Sequence, residues 1–200
     1  MGQIKTLRFV DRTGKTVTLC TALAEDAHSI IRYIKENQDR FPYMVSTVAE
    51  VSQDAKYEKD FIEAHYKREN SVMIVAWCDN GIIGVLNFVG GIKTRVCHDG
   101  EIGISVSPEF QGKGIGRKLL ETFLQWAEQT PVLKRVTLQV MGNNTRALNL
   151  YRSLGFEAEG RKREAVIFED GRVEDLIMMG KFLYHGKETR TGSVWTEDKE

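Results

Sequence analysis

The apolar positions of this chain change period several times, and the changes divide it into elements. Val17 to Ala22 reads as a strand. Asp26 follows as an N-cap for a helix running to about Lys35. Phe41-Pro42-Tyr43 interrupts, and a second helix is predicted over Asp54 to Lys67, with Phe61, Ile62 and His65 on one side. Ser71 to Cys78 is an apolar strand, Asp79-Asn80-Gly81 a hairpin turn, and Ile82 to Val89 the returning strand. After Asp99-Gly100 a strand runs from Glu101 to Val106. The period then becomes helical: Ile115, Leu119, Phe123 and Ala127 recur every four residues, ending near Gln129 before Pro131. Lys134 to Met141 is a strand, Asn144 to Leu154 a short helix stopped by Gly155, and Phe156–Phe168 with Val173–Leu183 a final hairpin about Asp170-Gly171. The pattern is an α+β domain over residues 1–184, with about six to seven mostly antiparallel strands and about four helices. Residues 185–200 form a polar tail, expected to be mobile.

Composition narrows the function classes. Lys plus Arg equals Asp plus Glu, 28 each, so the chain lacks the basic excess of a general nucleic-acid binder. No apolar run approaches the roughly 20 residues that span a bilayer, and the first residues lack a signal-peptide core. Cys20, Cys78 and Cys97 are odd in number and widely spaced, and the first two sit in strand-like stretches. Buried thiols in a reducing, cytoplasmic setting are expected, with no disulfide frame. Neither these nor His28, His65, His98 and His185 have metal-ligand spacing, so no metal is assigned. The lipidation pattern at Met1–Thr6 and the glycosylation triplet Asn143-Asn144-Thr145 are short matches common by chance, and carry no weight.

The chemistry concentrates in Val106-Ser107-Pro108-Glu109-Phe110-Gln111-Gly112-Lys113-Gly114-Ile115-Gly116-Arg117. A strand ends, and a glycine-rich loop opens an amphipathic helix. The first helical turn leaves N–H groups without intrahelical partners, and its dipole favours an anion. Gly112, Gly114 and Gly116 remove the side chains that would keep an anion away, while Lys113 and Arg117 add positive charge. Capture of a pyrophosphate is implied. The G-x-G-x-G run matches neither the dinucleotide loop nor the Walker loop.

With Gln111, Gly114 and Gly116 in place, the run matches the Q/R-x-x-G-x-G/A signature of the GNAT superfamily of N-acetyltransferases. From Glu101 to Phe156 the chain resembles that superfamily's central motifs, particularly the bacterial branch acetylating amino acids and protein N-terminal amines. Gly160-Arg161-Lys162-Arg163 and Asp175–Met179 extend the likeness, whereas residues before 70 match only in element order. The resemblance implies acetyl-CoA as cosubstrate, its pantetheine bonded by backbone groups of Ile104, Ser105 and Val106, and its phosphates by the loop from Gln111 to Arg117, Ile115 included. It implies a side-chain bond from Asn144, with Asn143 as competitor; either residue also suits a helix N-cap. It implies that Tyr151 hydrogen-bonds and protonates the leaving thiolate, although a core aromatic role is also open. Where relatives acting on N-termini often carry Glu, this chain has Gln139, which cannot take a proton. Glu101 is then the remaining carboxylate for the amine's proton, on a strand face shared with Gly103 and Ser105, unless a bulge shifts the alternation.

The implied reaction is direct attack of a neutral amine in a ternary complex, with a backbone N–H near Val106 on the oxyanion. No cysteine neighbours the motifs, so no acetyl-cysteine step is expected. The acceptor, a small amine, an amino acid or a peptide N-terminus, is not legible, and a homodimer is left open. The early helices, the Phe41–Tyr43 loop and the Glu164–Val173 hairpin are expected to select it. The alternative of another class is a non-catalytic acyl-CoA-binding module, which Gln139 favours and Tyr151 disfavours. Neither nucleic acid nor membrane is expected as partner.

Overall fold

The computed structural model describes residues 2–46, 50 and 54–183. The tail predicted over 185–200 lies outside them. Eight strands form one sheet in the order β1-β2-β3-β4-β5-β6-β8-β7. They are β1 (Leu7–Val10), β2 (Thr16–Thr21), β3 (Ser71–Cys78), β4 (Gly81–Gly90), β5 (Gly100–Val106), β6 (Arg135–Met141), β7 (Glu157–Ile167) and β8 (Val173–Phe182). Four α-helices join them: α1 (Ala27–Asn37), α2 (Ala55–Lys67), α3 (Ile115–Glu128) and α4 (Thr145–Ser153).

The sheet separates two cores. On one face α3 and α4 bury Leu119, Phe123 and Leu148 against Ile74, Leu86 and Ile102. On the other, α1 and α2 bury Ile30, Tyr33 and Ile62 against Met73, Val75 and Val85. The alternating faces of β3 and β4 therefore feed both cores, which is why their sequences are apolar almost throughout.

All pairings are antiparallel except β5 with β6. That parallel pair meets at Glu101↔Thr137 alone, whereas β5 stays in register with β4 from Gly100 to Val106. No bulge that would shift the alternation interrupts the β4–β5 register. Beyond Glu101 the two parallel strands part and leave a gap between them.

Two local expectations are corrected. β1 was not foreseen: it has four residues, with only Leu7 and Phe9 turned inward, too short an alternation to register. Asp26 does not cap α1 as its preceding residue. A single 3-10 turn, Ala24–Asp26, leads into the helix, and the Asp26 carboxylate reaches back to accept from the Leu23 N–H at 2.8 Å. Asp54, expected as the first residue of the second helix, is its N-cap and accepts from Lys56 N–H, and Gly155 takes the left-handed conformation (φ 84°) expected after α4.

Candidate active site

The glycine loop follows β5 through a short turn, Pro108–Phe110. Gly112 (φ 79°) and Gly114 (φ 94°) both sit in the left-handed region, and Gly114 is the N-cap of α3. A side chain at 112 would start 3.5 Å from the Arg146 guanidinium, and one at 114 would start 3.9 Å from Arg12 Nε. The glycines thus leave a space at a helix N-terminus flanked by two guanidiniums. Such a space suits an anion such as pyrophosphate. It forms part of a cavity of about 490 Å³ that Gln111, Arg117, Asn144 and Tyr151 also line.

Sequence reading missed both flanking arginines. Arg12 comes from the β1–β2 hairpin, a hundred residues away. Its backbone N–H donates to Lys113 O (3.3 Å) and its side chain to Gly112 O (3.4 Å), so the hairpin clamps the loop. Only the tertiary fold makes that contact. Arg146 did leave a signal, because a cation in the first turn of α4 opposes the helix dipole and needs another reason to be there. It donates to Gln111 Oε1 at 3.4 Å. Two of the expected loop residues, Ile115 and Lys113, do not line this cavity. Ile115 is a core side chain, 1% exposed, and can offer only its backbone. Lys113 holds its ammonium 4.9 Å above the Phe110 ring and does not line the cavity. Arg117 donates to Ser153 Oγ at 2.7 Å, bridging α3 to α4.

Where β5 leaves β6, backbone groups become free to bond a ligand. The Ser107 N–H donates to Ile83 O at 2.9 Å. Antiparallel alternation therefore turns the peptide groups of Ser105 toward β4, and those of Ile104 and Val106 toward the gap. Of the three residues expected to bond pantetheine, the edge offers Ile104 and Val106. Gln111 Nε2 already donates to Val106 O at 3.0 Å, tying the loop to the edge. Ser105 instead has its hydroxyl on the opposite face, accepting from Tyr33 O–H at 2.9 Å.

Asn144 realises the cap and leaves room for the second role. Its Oδ1 accepts from the Ala147 N–H at 3.1 Å, while the residue lines the cavities on both sides of the gap. The competitor Asn143 is occupied by Glu174, to which its amide donates.

Tyr151 stands where two cavities meet. It lines the 490 Å³ space and also a neighbouring one of about 590 Å³ bounded by Glu101, Gln139 and the segment Phe41–Ser46. The ring is 7% exposed and meets Phe156 edge-on at 5.9 Å. Burial pushes its phenol up to about 12. The core-aromatic and cavity-facing readings therefore hold together for this residue.

Glu101 lies on the face predicted for it, exposed at the floor of the second cavity. Gln139 Nε2 donates to both its carboxylate oxygens, at 3.1 and 3.3 Å. Lys162 from β7 donates to Gln139 Oε1 at 2.9 Å. Because the amide oxygen is engaged by an ammonium, the amide nitrogen must face Glu101. Phe41–Tyr43, with Met44–Ser46 beyond it, lines this cavity; from the last hairpin Leu176 does so and residues 164–173 do not.

Burial raises the thiols of Cys20 and Cys78, which disfavours thiolate at either. All three cysteines are unpaired. Among the described residues no cluster of three or more His, Cys, Asp or Glu suits a metal, and no helix is long and apolar enough to cross a membrane.

Residues 31–156 match the model of the acetyltransferase (GNAT) family. The spermidine N(1)-acetyltransferase of Escherichia coli K12 is 26% identical over 167 residues, covering 79% of this chain and 88% of that protein. The [ribosomal protein uS5]-alanine N-acetyltransferase of the same strain is 30% identical over 97 residues, 48% of this chain and 49% of its own length. A structure from Salmonella typhimurium solved with its cofactor acetyl-CoA superposes with a TM-score of 0.74 at 20% identity, over 88% of this chain and 99% of that one.

Proposed function

This chain belongs to the GNAT acetyltransferase family, and on that premise we propose that it moves an acetyl group from acetyl-CoA to a primary amine by direct attack in a ternary complex. The observation that carries the reading is Tyr151 at the junction of two cavities. One leads to the glycine cradle between Arg12 and Arg146, the other to Glu101. The cradle fits the cosubstrate's phosphates in charge and shape. The unpaired edge of β5 fits its amide-bearing arm, which would add there like a strand.

Acetyl-CoA supplies an activated thioester carbonyl, and the protein's residues do the rest. Ile104 and Val106 offer backbone donors and acceptors at the edge, and the Val106 N–H is the candidate to stabilise the oxyanion. Asn144 keeps an amide N–H to donate while its oxygen caps α4. Glu101 takes the amine's proton, directly or through a water, oriented by Gln139 and at one remove by Lys162. Tyr151 donates a hydrogen bond to the departing sulfur. Neutral thiols at Cys20 and Cys78 argue for direct transfer over an acetyl-cysteine intermediate. A reducing, cytoplasmic setting belongs to the same proposal and is supported by the unpaired cysteines.

The acceptor class is an amine, since two relatives are named for acetylating spermidine and a ribosomal protein's alanine. Free-thiol release from acetyl-CoA, measured against a panel of polyamines, amino acids and alanine-starting peptides, tests the proposal. Turnover with any of them supports it. CoA binding without turnover on the whole panel would favour the acyl-CoA-binding module instead.

A further inference from the structure

A third cavity, of about 300 Å³, continues from the acceptor side of β5 into the space between the sheet and helices α1 and α2. It shares Phe41, Met44, Gly103, Ile104 and Ser105 with the cavity that holds Glu101, so the two are contiguous. Its walls are largely apolar: Ile30, Ile34, Phe61, Met73 and Val85. One carboxylate lines it, that of Glu58 from the first turn of α2.

Glu58 is 7% exposed. Burial raises its carboxyl above the usual range, and among the described residues no hydrogen bond or neighbouring charge offsets that effect. The α2 N-terminus lends only its dipole. A buried carboxylate is costly unless paired; Asp11 Oδ2 and His65 Nε2 are also buried without a partner among the described residues, whereas two buried asparagines are paired. Asn37 donates to Tyr33 O, and Asn70 to Gly91 O and Cys97 O. Nearer the entrance are two more polar groups. The side-chain oxygen of Asn87 lies 2.5 Å from where a Gly103 Cβ would be, so only glycine at 103 lets that amide lie against β5. Across the strand the Ser105 hydroxyl already accepts from Tyr33 and can donate its own proton inward.

An apolar chamber ending in an unpaired carboxylate, joined to an amine-acetylating cleft, has one matching ligand chemistry. We propose that Glu58 seats the distal ammonium of a small linear diamine whose other amine is acetylated, the methylene chain lying against Phe61, Met73 and Val85. The inference rests on the acetyltransferase reading and deepens it by naming the acceptor class. Glu58 would act on selection, leaving the proton transfer to Glu101.

Calorimetric titration of the whole protein, free and CoA-loaded, with putrescine and cadaverine against butylamine and pentylamine tests this. The diamines should bind about 10- to 100-fold more tightly than the matching monoamines, the usual size for a hydrogen bond to a charged group. Glu58→Gln should bring the diamines down to the monoamine level. Glu58→Asp, which keeps the charge but withdraws it, should retain a preference and move it toward the longer diamine. CoA affinity of each variant serves as the check on folding. No diamine preference in the wild type, or one that survives in Glu58→Gln, overturns the proposal. Acetylation of an alanine-starting peptide without any diamine preference would overturn it too while leaving the acetyltransferase reading intact. Failure of the wild type to bind CoA would remove the acetyltransferase reading and with it the acetylation of the second amine, whereas the diamine titration of the free protein tests the Glu58 seat separately.

Discussion

In the proposed reaction Tyr151 and Glu101 would divide the work on the thioester, and their surroundings bear on how. A phenol pushed up to about 12 is a weaker acid than a thiol of about 8.5. Complete transfer of its proton to the thiolate is therefore uphill, and Tyr151 serves best as a hydrogen-bond donor to developing negative charge on sulfur. Tyr151→Phe should keep the fold and CoA affinity and lower kcat about 10²-fold. Because the raised value keeps the phenol protonated, the ratio of wild-type to mutant kcat should stay constant from pH 7 to 10. A ratio that collapses within that interval would mean that the phenol ionises there. Glu101 is the opposite case, an exposed carboxylate held by Gln139. Glu101→Gln should lower kcat/KM about 10- to 100-fold with CoA affinity unchanged. The loss should be largest for amines with a reference value near 10.4, and raising the pH should restore part of the rate. Equal loss at every pH would make Glu101 a positioning residue. Gln139→Leu frees Glu101 without removing it, so its effect on kcat/KM should be smaller, which a parallel assay will read.

Among the elements, the helices, the central strands and the loop before α3 were legible because each has a strong local signature: period, cap or glycine spacing. What stayed hidden was set by partners distant in sequence. β1 is an edge strand too short to show its alternation, yet its hairpin brings Arg12 onto the loop. The side of β5 on which each peptide group points depends on its register with β4, so the difference between Ser105 and its neighbours could not be read from residue types. Nothing in the residue types of the second helix sets Glu58 apart from its other charged positions. Only the docking of α2 on the sheet buries it. The loop itself predicts a sharp contrast. CoA should raise the melting temperature of the wild type, since it binds only the native state. Gly114→Glu should abolish the increase by putting a carboxylate into the anion space and forcing a side chain into a left-handed position. Arg12→Ala should weaken CoA about tenfold without abolishing it, since the N–H groups of the α3 terminus remain. Unchanged CoA affinity in folded Gly114→Glu would sink the cradle assignment.

For the whole molecule, function and stability make opposite demands on the α1–α2 face. That layer closes one of the two cores with Ile30, Tyr33 and Ile62, and within the same layer sits the unpaired Glu58. Its carboxyl is raised by burial above the value of 4.5 from which it starts. A raised value means that the folded state holds the proton more tightly than the unfolded state does. The resulting stability is present below about 4.5 and is lost as pH rises through the folded value, so at neutral pH Glu58 weakens the fold. Glu58→Gln removes the charge while keeping the shape. At pH 7 the variant should melt higher than the wild type. As pH falls below 4.5 the difference should shrink toward zero, because the wild-type carboxyl is then protonated in both states. A diamine should raise the wild-type melting temperature at neutral pH and leave that of the variant nearly unchanged, since the ammonium supplies the missing partner. Scanning calorimetry of both proteins across pH, with and without cadaverine, reads all of this in one series. A variant less stable than wild type at pH 7 would mean that Glu58 is already satisfied in the folded chain, and that the chamber selects its ligand by shape alone.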